Sequence, residues 1–150
     1  QIHQRLARAL GEKPLAKVEN HHNFAWKELV DGREVIVHRK GATPAGAGVL
    51  GIIPGSMTAP GFIVAGRGER ASLASASHGA GRLLSRTRAK AELSDAEVRR
   101  TLQAHGVELI GGGLDEAPQA YKDIFTVMQA QTELVDVLGT FTPKIVRMDG

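Results

Sequence analysis

The stretch NFAWKELVDGREVIVHRK, residues 23–40, constrains the fold of this chain more than any other segment. Two runs of residues with high β propensity flank Asp31 and Gly32, and an Asp-Gly pair favours the two-residue type I′ turn of a hairpin. The sequence therefore predicts two antiparallel strands that are joined at Asp31–Gly32.

Shorter signals surround this hairpin. Residues 1–10 have the apolar spacing of an amphipathic helix, which Gly11 and Pro14 end. Residues 48–57 and 61–66 indicate two more strands, and the alternating ASLASAS predicts a further strand that ends at His78.

The second half of the chain has mainly helical patterns. We expect a helix from Gly81 to about Leu93, and a second helix that begins with the capping box at Ser94 and stops near His105–Gly106. A short strand at VELI follows, and Lys144–Met148 predicts a last strand. Between them a long helix is expected from Pro118, with apolar spacing through Tyr121, Ile124, Met128, Gln131, Leu134, Val135 and Leu138.

This order predicts the α+β class, with a sheet-rich first half and a helix-rich second half. The 150 residues fit one domain with a real core, and they contain no repeats. The chain starts at Gln1 inside helix-like sequence, so we expect residues 1–150 to be the C-terminal portion of a larger domain.

Composition narrows the classes of function. No apolar run is long enough to span a bilayer, so no membrane partner is expected. The chain has no cysteine, which excludes a disulfide framework or a thiolate metal site from this chain and suits a cytoplasmic protein. A net charge of +3 leans towards anionic partners such as nucleotides or RNA, although ordinary solubility would explain it equally well.

The segment ENHHNFA places two imidazoles at the start of the hairpin. Neighbouring residues on a strand point to opposite faces, so only one of His21 and His22 can face a given site. A neutral imidazole is a good ligand for Mn²⁺, Fe²⁺ or Zn²⁺, but one histidine cannot hold a metal alone. Spacing by itself favours a surface or structural pair.

Two glycine-rich stretches are candidates for anion binding. In HRKGATPAGAG, Arg39 and Lys40 precede a loop whose N–H groups could cradle a phosphate, or the stretch is a solvated strand end. In IIPGSMTAPG, the turn N–H groups and the Ser56 hydroxyl could bind a sugar or phosphate, or form an ordinary tight turn.

ASASHGAGRLLSR is the most suggestive stretch. It places His78 at an expected strand-to-helix junction, where the free N–H groups of a helix start suit a phosphate. The small residues around His78 cannot build a core, and they let a bulky ligand approach the backbone. This histidine could be a general base, a metal ligand or a covalent nucleophile.

Five stretches together resemble one family, the RtcB-type RNA-splicing ligases. In chain order they are HHNFA, HRKGAT, IPGSM, SHGAGRLLSR and EAPQAYKDI, and the resemblance runs from about residue 18 to residue 138. Each stretch is weak alone, but five in the right order make the resemblance specific.

The resemblance implies a GTP- and Mn²⁺-dependent ligase for tRNA splicing or RNA repair. Such enzymes join RNA ends that carry a 2′,3′-cyclic phosphate or 3′-phosphate to 5′-hydroxyl ends through a histidine–GMP intermediate. By this resemblance His78 is the nucleophile, His22 a manganese ligand, and Arg82 and Arg86 are candidates for binding RNA phosphates. The implied GTP-binding residues are His22, Asn23, Pro54, Gly55, Ser56, Met57, His78, Gly79, Ala80, Gly81 and Tyr121, the last stacked on guanine.

Some features depart from the family pattern. The family usually has a serine where this chain has Gly61, and many members end in Lys-Gly where this chain ends in Asp149-Gly150. One phosphate contact is therefore expected to be missing, and guanine recognition to be altered. Family members are also considerably longer, and their N-terminal portion carries the other manganese ligands. If these 150 residues stood alone, we would expect no ligation.

Two alternatives remain open from the sequence. One is a nucleotide- or RNA-binding module, or an inactive fragment, without catalysis, which the departures and the missing ligands suggest. The other is a metal-dependent hydrolase that uses His22. It would need a complete ligand set, and His3, His21, His38 and His105 show no ligand spacing.

Overall fold

The predicted hairpin is the largest antiparallel pair in the computed structural model, which describes residues 2–148 and their side chains from residue 3. The strands are β1 (Asn23–Val30), β2 (Arg33–Lys40), β3 (Ala42–Pro44), β4 (Leu50–Ile53), β5 (Gly61–Gly66), β6 (Ser75–Ser77), β7 (Glu108–Gly111), β8 (Val135–Phe141) and β9 (Ile145–Arg147). The helices are α1 (Ile2–Leu10), α2 (Arg86–Glu92), α3 (Asp95–Ala104) and α4 (Ile124–Gln129).

The turn of the hairpin has the expected geometry. β1 and β2 pair with Val30 opposite Arg33, and the connecting Asp31 and Gly32 have φ values of +49° and +76°. Positive φ at both central residues is what a type I′ turn requires. The prediction for residues 23–40 is therefore confirmed.

A three-stranded antiparallel sheet in the order β4-β5-β8 forms the centre of the main core. Its inner face buries Ile53, Phe62 and Val64 against Ile124 and Met128 of α4. Burying an aliphatic side chain of this size contributes about 1.5–3 kcal/mol. This core holds β4 and α4 together, and both elements lead directly into the candidate site.

Shorter pairs complete the fold. β3 pairs antiparallel with β6, and β7 pairs in parallel with β9. α3 begins with the predicted capping box, in which Ser94 and Glu97 exchange hydrogen bonds. The α+β class is confirmed, although the second half of the chain also contains the strands β7, β8 and β9.

The helix expected from Gly81 starts later than predicted. α2 begins after Ser85, whose hydroxyl accepts from the Arg88 N–H at 3.2 Å. Before it, the N–H groups of Leu83 and Leu84 donate to the Ala120 carbonyl. These tertiary hydrogen bonds replace a helical turn, so His78 does not lie at a helix N-terminus.

The prediction of a long helix from Pro118 is also wrong. A single 3₁₀ turn at Pro118–Ala120 is followed by extended backbone at Tyr121, and Asp123 then caps α4 by accepting from the Phe125 N–H. Of the positions assigned to that helix after α4, Gln131 and Leu134 lie in the following turn, whereas Val135 and Leu138 belong to β8, which completes the sheet beside β5.

The strand expected over ASLASAS is limited to Ser75–Ser77. Leu73 and Ala74 just before it have positive φ values of 53° and 47°, which interrupt an extended strand. Within residues 2–148, no helix combines the length and apolar character needed to cross a membrane.

Candidate functional site

His78 and His22 lie side by side where the β3–β6 pair ends. Gly41 connects their backbones: its N–H donates to the His22 carbonyl at 3.1 Å, and its carbonyl accepts from the His78 N–H at 3.4 Å. The two imidazole centroids are 5.0 Å apart. The neighbouring His21 ring instead lies 5.2 Å from the Phe24 ring, so the two adjacent histidines do face different surroundings.

Asn20 fixes the segment that carries His22. Its side-chain amide donates to the Leu50 carbonyl at 3.2 Å and accepts from the Ile52 N–H at 3.0 Å. Both contacts lie on the edge of β4, so one side chain holds residues 18–22 against the sheet. Sequence reasoning missed this role, because the partners of Asn20 are about thirty positions away.

The PGSM and HGAG segments are in direct contact. The Pro54 carbonyl accepts from the Ala80 N–H at 3.0 Å, and a Cβ at Gly79 would lie only 3.2 Å from that carbonyl oxygen. At Gly55 a Cβ would lie 2.4 Å from the Pro60 carbonyl oxygen, so no side chain fits there. Small residues at these positions allow the two backbones to pack beside His78.

Several groups that the sequence suggested as ligand donors already have partners within the protein. The Ala80 N–H is used by Pro54, and the Gly79 N–H lies 3.4 Å from the Ser77 hydroxyl. The Ser56 hydroxyl accepts from the Thr58 N–H at 3.4 Å and keeps its own O–H to donate, whereas Met57 is buried against Val98 and Leu102 of α3. The N–H groups of Gly79 and Ala80 therefore shape the site more than they offer free donors.

A groove of about 680 Å³ runs past His78. One wall comes from the PGSM and HGAG segments, and another wall, which is apolar except for Arg147, comes from residues 141–148 at the end of β8 and along β9. The predicted residues that line it are Pro54, Gly55, Ser56, Met57, His78, Gly79, Ala80, Gly81, Arg82, Arg86 and Tyr121. The structure therefore brings together eleven of the thirteen sequence-predicted site residues.

Two carboxylates behind the groove hold the predicted arginines. Arg86 contacts Asp115 and Glu116, each at 2.7 Å, and Arg82 lies 3.5 Å from Glu116 and donates to the Asp115 carbonyl. Lys90 lies 3.4 Å from Asp115. Burial alone would raise the pKa of Asp115, but the hydrogen bonds from Arg86, its own backbone and Lys90 lower it overall. Three cations thus face two carboxylates, which leaves one positive charge beside the groove.

Arg82 and Arg86 do not lie on one helix, although the helix expected from Gly81 would have contained both. Arg82 precedes α2 and pairs across a short bridge with Tyr121, whereas Arg86 is the first residue of α2. Asp115 and Glu116 were not predicted as site residues. Glu116 is the first residue of the stretch EAPQAYKDI and Asp115 directly precedes it, but the sequence does not show that these acids face Arg82 and Arg86.

Tyr121 is fixed by two contacts. Its hydroxyl donates to Glu116, and the Arg82 guanidinium lies 5.1 Å from the ring centroid, over one face. Burial, together with the hydrogen bond to Glu116, raises the pKa of Tyr121 to about 12.

Replacing Glu116 by glutamine should lower the pKa of Tyr121, because the negative charge that opposes phenolate formation is removed. The midpoint should fall below 12 but remain above the ordinary 10.0, since burial persists. Ultraviolet absorbance of the phenolate measures this, with Tyr121→Phe as the blank and circular dichroism to confirm folding at each pH. An unchanged midpoint would contradict the Tyr121–Glu116 hydrogen bond.

His22 and Asn23 lie outside the main groove. His22 lines a smaller adjoining hollow of about 400 Å³, which it shares with Asn20, Thr43, Pro54 and His78 among others. The side-chain amide oxygen of Asn23 lies 3.2 Å from the His38 Nε2. His78 and Pro54 line both cavities, so His22 approaches His78 from the hollow, whereas the other predicted residues line the groove.

The hollow beside His22 fits only part of a metal centre. The buried Thr43 hydroxyl has no hydrogen-bond partner in the described part of the chain and lies among its lining residues, which leaves a polar atom to be satisfied there. Over residues 2–148, however, no three histidine, aspartate or glutamate side chains gather closely enough to hold a metal ion. His22 could therefore contribute one ligand, and a complete manganese site does not form from the described residues alone.

Arg39 is not available as a phosphate ligand, contrary to the cradle that HRKGATPAGAG suggested. Its guanidinium is buried, contacts both carboxylate oxygens of Glu28 at 2.6 and 2.9 Å, and donates to Ser75 and the Leu73 carbonyl. It also lies 5.1 Å from the Trp26 ring centroid. Arg39 therefore ties the hairpin to the segment before β6.

The two departures from the family pattern have different outcomes. Gly61 is buried beneath Phe141, and an added Cβ would lie 2.3 Å from the ring, so the structure excludes a serine there unless the ring moves. Asp149 and Gly150 lie outside the described residues, so the prediction of altered guanine recognition at the chain end remains untested.

Comparisons with known proteins identify the family of this chain. A family model described as tRNA-splicing ligase RtcB matches residues 1–149. The RNA-splicing ligase RtcB of Escherichia coli K12 is 46% identical over 93% of this chain and 34% of its own length. RtcB1 of another Escherichia coli strain is 48% identical over 84% of this chain and 31% of its own, and the Nanoarchaeum equitans tRNA-splicing ligase RtcB is 38% identical over 83% and 31%. The chain spans about a third of the length of these relatives, and it belongs to the RtcB family of RNA-splicing ligases.

Proposed function

We propose that this chain carries the guanylylated histidine of a GTP- and Mn²⁺-dependent RNA ligase. The substrates would be RNA with a 2′,3′-cyclic phosphate or 3′-phosphate end and RNA with a 5′-hydroxyl end. Since the chain spans about a third of its relatives, the complete reaction is proposed for the polypeptide in which these residues act together with an RtcB-type N-terminal portion.

The convergence of three distant segments on His78 carries this proposal. Residues 54–57, 78–81 and Tyr121 line one groove, and its volume of about 680 Å³ lies within the range of small-ligand sites. The excess positive charge beside Arg82 and Arg86 suits a polyanionic ligand such as a nucleotide or an RNA end.

His78 has the chemistry that the first step needs. An imidazole nitrogen attacks the α-phosphorus of GTP, a P–N bond forms, and the P–O bond to pyrophosphate breaks. An oxygen of the RNA 3′-phosphate then displaces the histidine and takes the GMP. Attack by the 5′-hydroxyl finally closes the phosphodiester and releases GMP.

Manganese would supply charge neutralisation at the reacting phosphates. His22 is the residue of this chain proposed to bind it, through one imidazole nitrogen. The remaining ligands would come from the N-terminal portion that the longer relatives carry.

The test is a labelling experiment on the polypeptide as expressed from its own gene. Incubation with GTP labelled at the α-phosphate and Mn²⁺, followed by denaturation, should leave a protein-bound label that acid releases and alkali does not. Absence of the label would refute the proposal, and GTP binding without a label would then favour a non-catalytic nucleotide-binding module.

A further inference from the structure

Phe141 and Gly61 form an unusually close pair at the groove. Phe141 is the last residue of β8 and lies opposite Gly61, the first residue of β5. A Cβ built at Gly61 would lie 2.3 Å from Cζ and 2.6 Å from Cε1 of the ring. The ring can therefore occupy this position only because residue 61 has no side chain.

The ring remains accessible to a ligand. Phe141 is 44% exposed and lines the same groove as His78 and Tyr121. It stands on the wall that β8 and β9 supply, which is mostly apolar. The exposed part of the ring is therefore open to a ligand that enters the groove beside His78.

The chemistry of the ring decides what that partner is. A phenyl face carries negative potential and no donor, so it does not stabilise a phosphate, whereas a flat nucleobase stacks on it. Tyr121, the groove's other ring, already has one face covered by Arg82 and its hydroxyl bound to Glu116. Of these two rings, Phe141 is the one that the described residues leave more open to a base.

We infer that Phe141 contacts a nucleobase in the groove, and that Gly61 is the residue that allows it to do so. The inference rests on the proposed function. The base belongs either to GTP or to the RNA end, because both ligands must meet at His78.

Three variants test this in the native polypeptide: Phe141→Leu, which keeps bulk but removes the ring, Gly61→Ala, which displaces the ring, and the double variant. Leu138→Ala is the control, since Leu138 is an exposed apolar residue of the same strand that does not line the groove. Labelling of His78 is measured against GTP concentration. Transfer to RNA is then measured against RNA concentration with enzyme that is already labelled.

In Phe141→Leu, the loss of base stacking should raise KM about tenfold with little change in kcat. A tenfold change corresponds to the lower part of the free-energy range for base–aromatic contacts. A raised KM in the GTP arm assigns the base to the nucleotide, and one in the RNA arm assigns it to the RNA end. Gly61→Ala should also act less strongly in the Phe141→Leu background, because the two changes remove one contact.

Unchanged KM values in both arms for Phe141→Leu, or an equal effect of Leu138→Ala, would overturn the inference. Absence of any label in the unmodified protein would instead refute the proposed function, so the two failures are distinguishable. Gly61→Ala is open to unfolding, but Phe141→Leu changes only an exposed ring, which keeps the test decisive.

Discussion

Replacing His78 by alanine is expected to abolish the covalent GMP label, with a loss of at least about a thousandfold, the scale seen when an enzyme loses its nucleophile. Within residues 2–148, no other imidazole lines the main groove: His22 lies on the far side of His78, and His21 packs against Phe24. Gel detection of the label after denaturation measures the effect.

The variant should keep its fold, which makes the loss interpretable. The hydrogen bond between His78 and Gly41 uses backbone atoms and survives the substitution. His105→Ala is the matched control, because that ring contacts the Thr101 carbonyl at the end of α3, away from the groove. Label retained in His78→Ala would rule out His78 as the nucleophile, and label lost in His105→Ala would show that the loss is not specific to His78.

The second large effect is expected on stability, from Glu28→Gln. Arg39 is 2% exposed, and this change leaves its guanidinium buried without a counter-charge. Breaking a buried ion pair costs about 3–5 kcal/mol, and since the Glu28 side chain is 30% exposed, we expect the free energy of unfolding to fall by about 2–3 kcal/mol. Urea unfolding at neutral pH measures this.

Glu34→Gln is the control in the same hairpin. The Lys27–Glu34 pair is about 70% exposed on both sides, so its loss should cost about 0–1 kcal/mol. Equal effects of the two variants would contradict a special role for the Arg39–Glu28 pair.

The same pair determines a pH dependence. The hydrogen bond and charge of Arg39 outweigh burial and hold the pKa of Glu28 below its ordinary value. A depressed carboxyl pKa stabilises the fold fully above the ordinary carboxyl range, and that contribution is lost as the pH falls through the lowered pKa. The difference between the native protein and Glu28→Gln should therefore narrow on acidification, and a widening difference would contradict it.

The parts of the fold that were predicted correctly are those determined by residues close together in the sequence. The Asp31–Gly32 turn and the Ser94 capping box act within a few residues, so the sequence contains all the partners that define them. The prediction of a long helix from Pro118 was wrong because apolar residues at intervals of three and four positions also occur where a short helix is followed by a strand. The second part of this segment is a strand because β8 pairs with β5, which lies about seventy residues away in the sequence.

The candidate site shows the same division. His78 was singled out because a histidine among glycines and other small residues is conspicuous in a sequence, and the roles of the other site residues were implied by the family resemblance. Asn20, Asp115 and Glu116 were missed because their roles depend on distant backbone and side chains. The close approach of Phe141 to Gly61 was likewise not predictable from the sequence, since a single glycine can either allow a turn of the chain or make room for a ring.

The two backbone hydrogen bonds of Gly41 have a mechanical consequence. Because they join the backbones of His22 and His78, neither backbone segment can move away from the other without breaking at least one of them. The Gly41 amide proton reports the opening of the bond to His22 and the His78 amide proton that of the bond to Gly41, so the exchange of both with deuterated solvent measures how often the two segments separate. Slower exchange after ligand binding would show that the contact between the His22 and His78 segments has become more stable, and the measurement needs no label on the protein.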